Sequence, residues 1–547
     1  MRAVRRRWSA PLLALVLPAV LLLTGAAPAP TTAPAPGPLV VDTDRGVVRG
    51  RAHGAYRTFE GIPYAAPPTG ALRWAPPRPA RRWAGVRDAG AAGARCVQLP
   101  PMGTGGPSGS EDCLFLNVTA PAAHPLPGRP PAPVMVWFHG GGFVNGAGDL
   151  YRPERPAVQG GVVVVTVNYR LGVFGLFGHP ELGGAPALAL ADQQAALRWV
   201  RANAARFGAD PGNVTVFGES AGGLSVCAHL ASPASAGLFH KAIVQSGSCS
   251  TTMPARSLLP DLGAYEPFVP ERRTVADGAA AAGRLGCDGP AGRVLDCLRR
   301  LDARRLATPE LMQRFSRVPY GNDLLPLEPW RALEAGEFHR VPVVQGTTLD
   351  EMRIFVAQTL AAYPVADAAA YRARLERSFG AATARVVEAA YPVSGHPTPA
   401  AAWATLLSDA SFTCPTLRDS GALARHVPTY AYRFSDRDAP NFTGLPEPAG
   451  LPYGASHGFE LPYLFTMAPL AAPQRELADR ITGYWSTFAR TGSPGGAGGT
   501  WWPRYGVPES VLSLAPGAAG IHTVDARAEH HCALWDEWWP ARITRSR

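Results

Sequence analysis

The chain has 547 residues, 46% hydrophobic and 17% charged, an ordinary composition for a globular protein. That length exceeds the roughly 250–300 residues at which single cores stop growing, so one very large α/β unit with insertions, or two domains, is expected. The net charge of +10 does not mark a nucleic-acid partner, because Lys241 is the only lysine and no dense Lys/Arg run follows the N-terminus.

The first stretch reads as a secretory signal. Arg2, Arg5, Arg6 and Arg7 precede an apolar run from Ala10 to Leu23, then Thr24-Gly25-Ala26. This is too short and wrongly flanked for a membrane span, so residues 1–26 are expected to be removed after Ala26, with no stable membrane anchor. The Ala/Pro/Thr-rich residues 27–38 form a flexible lead-in. Export makes the eight cysteines candidates for disulfides. Cys96 and Cys113 are close in sequence, as are Cys287 and Cys297, while Cys414 and Cys532 are far apart. Cys227 and Cys249 would then remain as buried thiols. Spacing alone does not fix this pairing.

Along the chain, Val40 to Arg51 alternates like an opening hairpin. Pro133 to His139 reads as a buried strand, and Val162 to Asn168 as another that is almost wholly apolar, as a parallel strand covered on both faces should be. Leu188 to Phe207 has helical spacing and ends at Gly208. Asn213 to Phe217, Lys241 to Gln245, Val341 to Gln345 and Pro428 to Phe434 supply further strands. Strands alternating with helices predict a mostly parallel sheet in a doubly wound α/β fold. Residues 255–340 and 352–415 read as helical and irregular covers over the sheet's carboxyl edge.

The chemistry centres on Gly218-Glu219-Ser220-Ala221-Gly222, between a strand and a helix. There the glycines allow a sharp turn that lifts a serine hydroxyl out of the sheet. A serine needs a base, an orienting acid and donors for the oxyanion. His139-Gly140-Gly141-Gly142-Phe143 follows a buried strand, and its amides suit an oxyanion hole together with that of Ala221. The strand from Val341 runs into Gly346-Thr347-Thr348-Leu349-Asp350-Glu351, where the acid belongs; spacing leaves Asp350 and Glu351 equivalent. Of the thirteen histidines, the late His457 fits the order Ser, acid, His, with His426, His522, His530 and His531 competing.

From about Val41 to Pro540 the chain resembles the type-B carboxylesterases, cholinesterase-like α/β-hydrolases that include fungal lipases, and among them the secreted bacterial type. The resemblance rests on FEGIPYAAPPTGALRW (59–74), SEDCLFLNV (110–118), VMVWFHGGGF (134–143) and NYRLGVFGL (168–176). It extends through ADQQAALRWVRANAARFGADPGNVTVFGESAGG (191–223), VVQGTTLDE (343–351), YGASHGFELPYLF (453–465) and YWSTFARTGSP (484–494). It implies an α/β-hydrolase domain over residues 39–547, with Ser220 as nucleophile, Glu351 as acid and His457 as base. Gly141, Gly142 and Ala221 would form the oxyanion hole, and Met253, Ile354 and Phe355 would line the acyl side of an apolar pocket. It also implies disulfides Cys96–Cys113, Cys287–Cys297 and Cys414–Cys532 with Cys227 and Cys249 free, an Arg73–Glu111 salt bridge, and a site-organising role for Glu219.

Two departures bear on substrate. Met352 replaces the glycine that usually follows the acid, which would reshape the pocket mouth. The loop from Val97 to Asp112 has no tryptophan, which speaks against a quaternary ammonium ester. The expected function is a secreted serine hydrolase that cleaves small-molecule carboxylic esters through an acyl-enzyme, with no metal or cofactor. A lipase, an amidase or carbamate hydrolase could use the same triad. A binding protein of the same fold would typically have lost part of it.

Overall fold

Eleven strands form one sheet in a computed structural model that describes residues 38–545, apart from 101–104, 124–129, 291 and 496–498. The expected signal peptide and its Ala26 cleavage point lie outside the described residues. The strands are β1 (Arg51–Ala52), β2 (Tyr56–Pro63), β3 (Phe115–Pro121), β4 (Ala132–Phe138), β5 (Val163–Val167) and β6 (Ala209–Glu219). They continue with β7 (Lys241–Gln245), β8 (Val343–Thr348), β9 (Thr429–Phe434), β10 (Val511–Leu514) and β11 (Ile521–Val524). Their spatial order is β11-β10-β9-β8-β7-β6-β4-β5-β3-β2-β1. From β10 to β5 every neighbouring pair is parallel, and both edges are antiparallel.

The unbroken apolar runs follow from burial on both faces. Val134, Val136 and Phe138 of β4 enter one core, while Met135 and Trp137 enter the other. Val163, Val165 and Val167 alternate with Val164 in the same way. The first face is covered by α1 (Leu188–Asn203) and α2 (Ala221–Ala231), through residues such as Leu190, Leu197 and Val226. Further on come α3 (Arg353–Thr359), α4 (Pro399–Ser408), α5 (Cys414–Ala424) and α6 (Ala472–Thr491). Leu477, Ile481, Trp485 and Phe488 of α6 form a helical stripe against the second face. A third core, with Met352, Val356, Trp403 and Leu407, joins α3 and α4.

Element ends differ from the sequence reading in instructive ways. The helix expected over 188–207 is α-helical only to Asn203; Ala204–Phe207 tightens to a 3₁₀ turn before Gly208, whose φ of 89° closes it. The strand read as Val341 to Gln345 is β8, which starts later and carries Gly346-Thr347-Thr348 into the sheet. β6 runs to Glu219, directly against the serine.

All eight cysteines are paired. Cys96–Cys113, Cys287–Cys297 and Cys414–Cys532 form as the resemblance implied. The expectation of free thiols at Cys227 and Cys249 is corrected, because these two are bonded to each other, with their Cα atoms 5.5 Å apart. The cause is tertiary. The segment after β7 folds back over the start of α2, with Gly247 packed on the Ser220 carbonyl, and this brings Cys249 beside Cys227 two turns into that helix. The Arg73–Glu111 pair is present, at 2.6 Å from Nε to Oε1, and Arg73 also donates to the Leu301 carbonyl (2.7 Å).

Candidate active site

The order of the parallel strands reverses at β4, which has β5 on one side and β6 on the other. Open α/β sheets bind ligands at the carboxyl ends of strands at such a point. Here β4 delivers His139 to Gly142 and β6 delivers Ser220. The serine alone makes the turn between β6 and α2, with φ 57° and ψ −121°. A non-glycine residue in this region is strained and must be held. Its amide donates to the Gln245 carbonyl (3.0 Å), and its carbonyl accepts from Leu224 N–H (2.9 Å). Glycine is obligatory at 222, where a Cβ would overlap the Phe138 carbonyl oxygen. It is required at 141 too, where φ is 103° and a Cβ would collide with the Asn145 carbonyl.

His457 lies in the loop after β9, laid against the turn after β8. The Asp350 amide donates to the Ala455 carbonyl (2.9 Å), Ala455 N–H donates back to Asp350 Oδ2 (3.1 Å), and His457 N–H donates to the Glu351 carbonyl (3.3 Å). Two consecutive acids in this turn face opposite ways. Glu351 is fully buried, accepts from Thr348 N–H through Oε1 (2.9 Å), and sits 2.6 Å from His457 Nδ1 through Oε2. Asp350 instead binds Arg437 (2.9 Å) and Arg353 (2.9 Å). A carboxylate can only accept here, so Nδ1 carries the proton and Nε2 is the basic nitrogen. Nε2 stands 3.1 Å from Glu219 Oε1 and makes no hydrogen bond within the described residues.

Burial and neighbouring carboxylates set the electrostatics of the site. Burial pushes the imidazolium of His457 down, but Glu219 and Glu351 outweigh it and raise the ring to about 9. Burial also raises Glu219 and Glu460, each further by neighbouring carboxylates. Glu460 accepts from Gln245 Nε2 (3.1 Å), whose Oε1 accepts from Trp485 Nε1 (3.2 Å). Burial lowers His139 to about 4, so the ring beside the glycine loop is neutral. Tyr169 stacks on it and donates to its carbonyl (2.6 Å).

Ser220, His457, Gly141, Gly142 and Ala221 line one cavity of about 490 Å³. Met253, Ile354 and Phe355 line it as well, and Glu351 stands behind His457. Met352, expected at the mouth, is not in the wall: it is fully buried in the third core, with its amide held by Ser408 Oγ at 3.0 Å. The start of α3 turns the side chain of 352 away and those of 354 and 355 inward. Sequence reasoning missed Tyr151, Leu258, Leu262 and Phe412, which also line the cavity. Phe412 comes from a π-helical turn, Asp409–Thr413, and with Phe355 flanks the His457 ring at centroid distances of 5.1 and 5.0 Å. No residue pattern announced that turn. Among the described residues no cluster of three His, Cys, Asp or Glu side chains is arranged to hold a metal ion.

A strained serine turn after β6, a glycine loop after β4, and an acid and a histidine after β8 and β9 define the class of an α/β-hydrolase. The comparisons narrow it. The carboxylesterase family model matches residues 37–535. The chain is 36% identical to the para-nitrobenzyl esterase of Bacillus subtilis (strain 168), covering 85% of this chain and 92% of that one. It is 32% identical to the liver carboxylesterase of Sus scrofa, covering 94% of this chain and 96% of that one. A solved PNB esterase structure superposes with a TM-score of 0.73 at 33% identity, covering 90% of this chain and 99% of that one. The chain belongs to the carboxylesterase family, and it is a carboxylic ester hydrolase.

Proposed function

We propose that this esterase works through an acyl-enzyme on Ser220, with His457 as the base and Glu351 as its orienting acid. The observation that supports this is the buried Glu351–His457 pair: Glu351 engages Nδ1, and His457 lines the same cavity as Ser220 with its Nε2 3.1 Å from Glu219 Oε1. Ser220 Oγ attacks the ester carbonyl while His457 Nε2 takes its proton. The amides of Gly141, Gly142 and Ala221 receive the oxyanion; that of Ala221 opens α2 and has no carbonyl partner within the helix. Each such donor contributes about 10²–10³ in rate. The protonated His457 then gives its proton to the leaving alcohol, and water repeats the cycle on the acyl-enzyme. Glu351 keeps Nδ1 protonated and offsets the imidazolium charge.

Small-molecule esters are the substrates of this reading, and the protein acts outside the cell after export. The N-terminal sequence supports export, as do the four disulfides. Ser220→Ala tests the mechanism. Turnover of p-nitrophenyl acetate should fall by at least about 10⁴-fold with unchanged thermal stability, and retention of most of the turnover would refute it.

A further inference from the structure

The loop from Met253 to Tyr265 shapes the cavity in a way the motifs did not announce. Its stem is closed by paired main-chain hydrogen bonds, Met253 N–H to Tyr265 O and Tyr265 N–H to Met253 O, both 3.0 Å. Its approach is fastened twice. Cys249 is bonded to Cys227 of α2, and Ser250 donates through both N–H (2.9 Å) and Oγ (2.5 Å) to the buried Asp419. Trp403 Nε1 donates to the Ser257 carbonyl (3.0 Å), and Arg256 N–H donates to the Leu262 carbonyl (2.7 Å). The stem is thus rigidly placed. The tip presents leucines: Leu258 and Leu262 line the cavity, and Leu259 and Leu262 are 37% and 45% exposed. Phe442 lines the cavity from the loop after β9. Among the described residues, Glu219 and His457 are the only acidic, basic or histidine side chains in the cavity wall.

We propose that Leu258 and Leu262 are specificity-determining residues that hold an aliphatic chain of an uncharged ester running outward from Ser220. This rests on the catalytic reading above and adds the substrate class. Leucines half-open to water on a rigidly held loop lose their remaining contact with solvent when an apolar chain lies along them. Each methylene so withdrawn is worth roughly fourfold in affinity. A short acyl group does not reach them and gains nothing.

The test uses Leu262→Ser, Leu258→Ala and the double variant. Hydrolysis of p-nitrophenyl acetate is compared with that of p-nitrophenyl octanoate, and ethyl acetate with octyl acetate. The two pairs distinguish an acyl chain from an alkyl chain. A fall of about tenfold or more in kcat/KM for one octyl substrate, with acetate turnover within about twofold, is the expected result. An equal fall on short and long substrates, or no fall on either octyl substrate, would overturn the proposal. Leu262 is exposed enough for its replacement to leave the core intact, and an unchanged melting temperature verifies this. Loss of p-nitrophenyl acetate turnover in Ser220→Ala reports on the catalytic reading separately, whatever the chain-length profile.

Discussion

Replacing Asp350 and Glu351 one at a time separates two adjacent carboxylates that engage different partners. Glu351→Gln keeps an oxygen for Thr348 N–H but cannot hold the proton on His457 Nδ1, because an amide nitrogen there favours the wrong tautomer. A triad acid exchanged for its amide costs about 10⁴ in kcat. Fold stability should change little, since volume and one hydrogen bond are kept. Asp350→Asn removes a charge that no reacting atom faces. It leaves Arg353, whose side chain is 12% exposed, without its anion, and weakens the brace to Ala455. Hydrogen bonds to charged groups are worth about 1.5–3 kcal/mol. The more exposed Arg437 adds little. A loss of about 2–3 kcal/mol in unfolding free energy follows, with kcat lowered by no more than about tenfold. Steady-state kinetics with p-nitrophenyl acetate and urea unfolding read both quantities. If Asp350→Asn lost activity as severely as Glu351→Gln at unchanged stability, the assignment of the acid would be wrong.

Three further outcomes follow from the same geometry. Glu219 raises His457, so Glu219→Gln should lower the histidine's pKa; because the neutral ring is the proposed base, the acid limb of the kcat/KM profile should move down by about one pH unit. An unmoved limb, or one moved upward, would mean Glu219 carries no charge toward the ring. Gly222→Ala should abolish activity and destabilise the fold, because its Cβ has no space beside the Phe138 carbonyl; near-normal turnover would show that the turn can relax. Thiol titration of the denatured, unreduced protein should find no free cysteine, whereas two reactive thiols would mean that Cys227 and Cys249 are unbonded.

The parts of the fold that could be read in advance are those where local pattern and burial agree. Val163 to Val167 announces a strand covered on both faces, and the serine between Gly218 and Gly222 announces its turn, because each requirement lies within a few residues. What could not be read depends on contacts between distant segments. Cys227 and Cys249 pair only because the segment after β7 returns over α2. Spacing treats Asp350 and Glu351 alike, and the direction each side chain takes from one turn separates them. Met352 stands beside the acid in sequence yet faces another core, because a helix start turns neighbouring side chains apart. Phe412 enters the cavity through a π-helical turn, and Leu258 and Leu262 through a loop closed at Met253 and Tyr265.

The central claim is that Ser220 is the nucleophile. Mass spectrometry of the protein treated with a fluorophosphonate tests it most directly. A single adduct on the peptide that carries Ser220, lost in His457→Ala, is the predicted result. An adduct on another residue, with Ser220 unmodified in an inactivated enzyme, would contradict it.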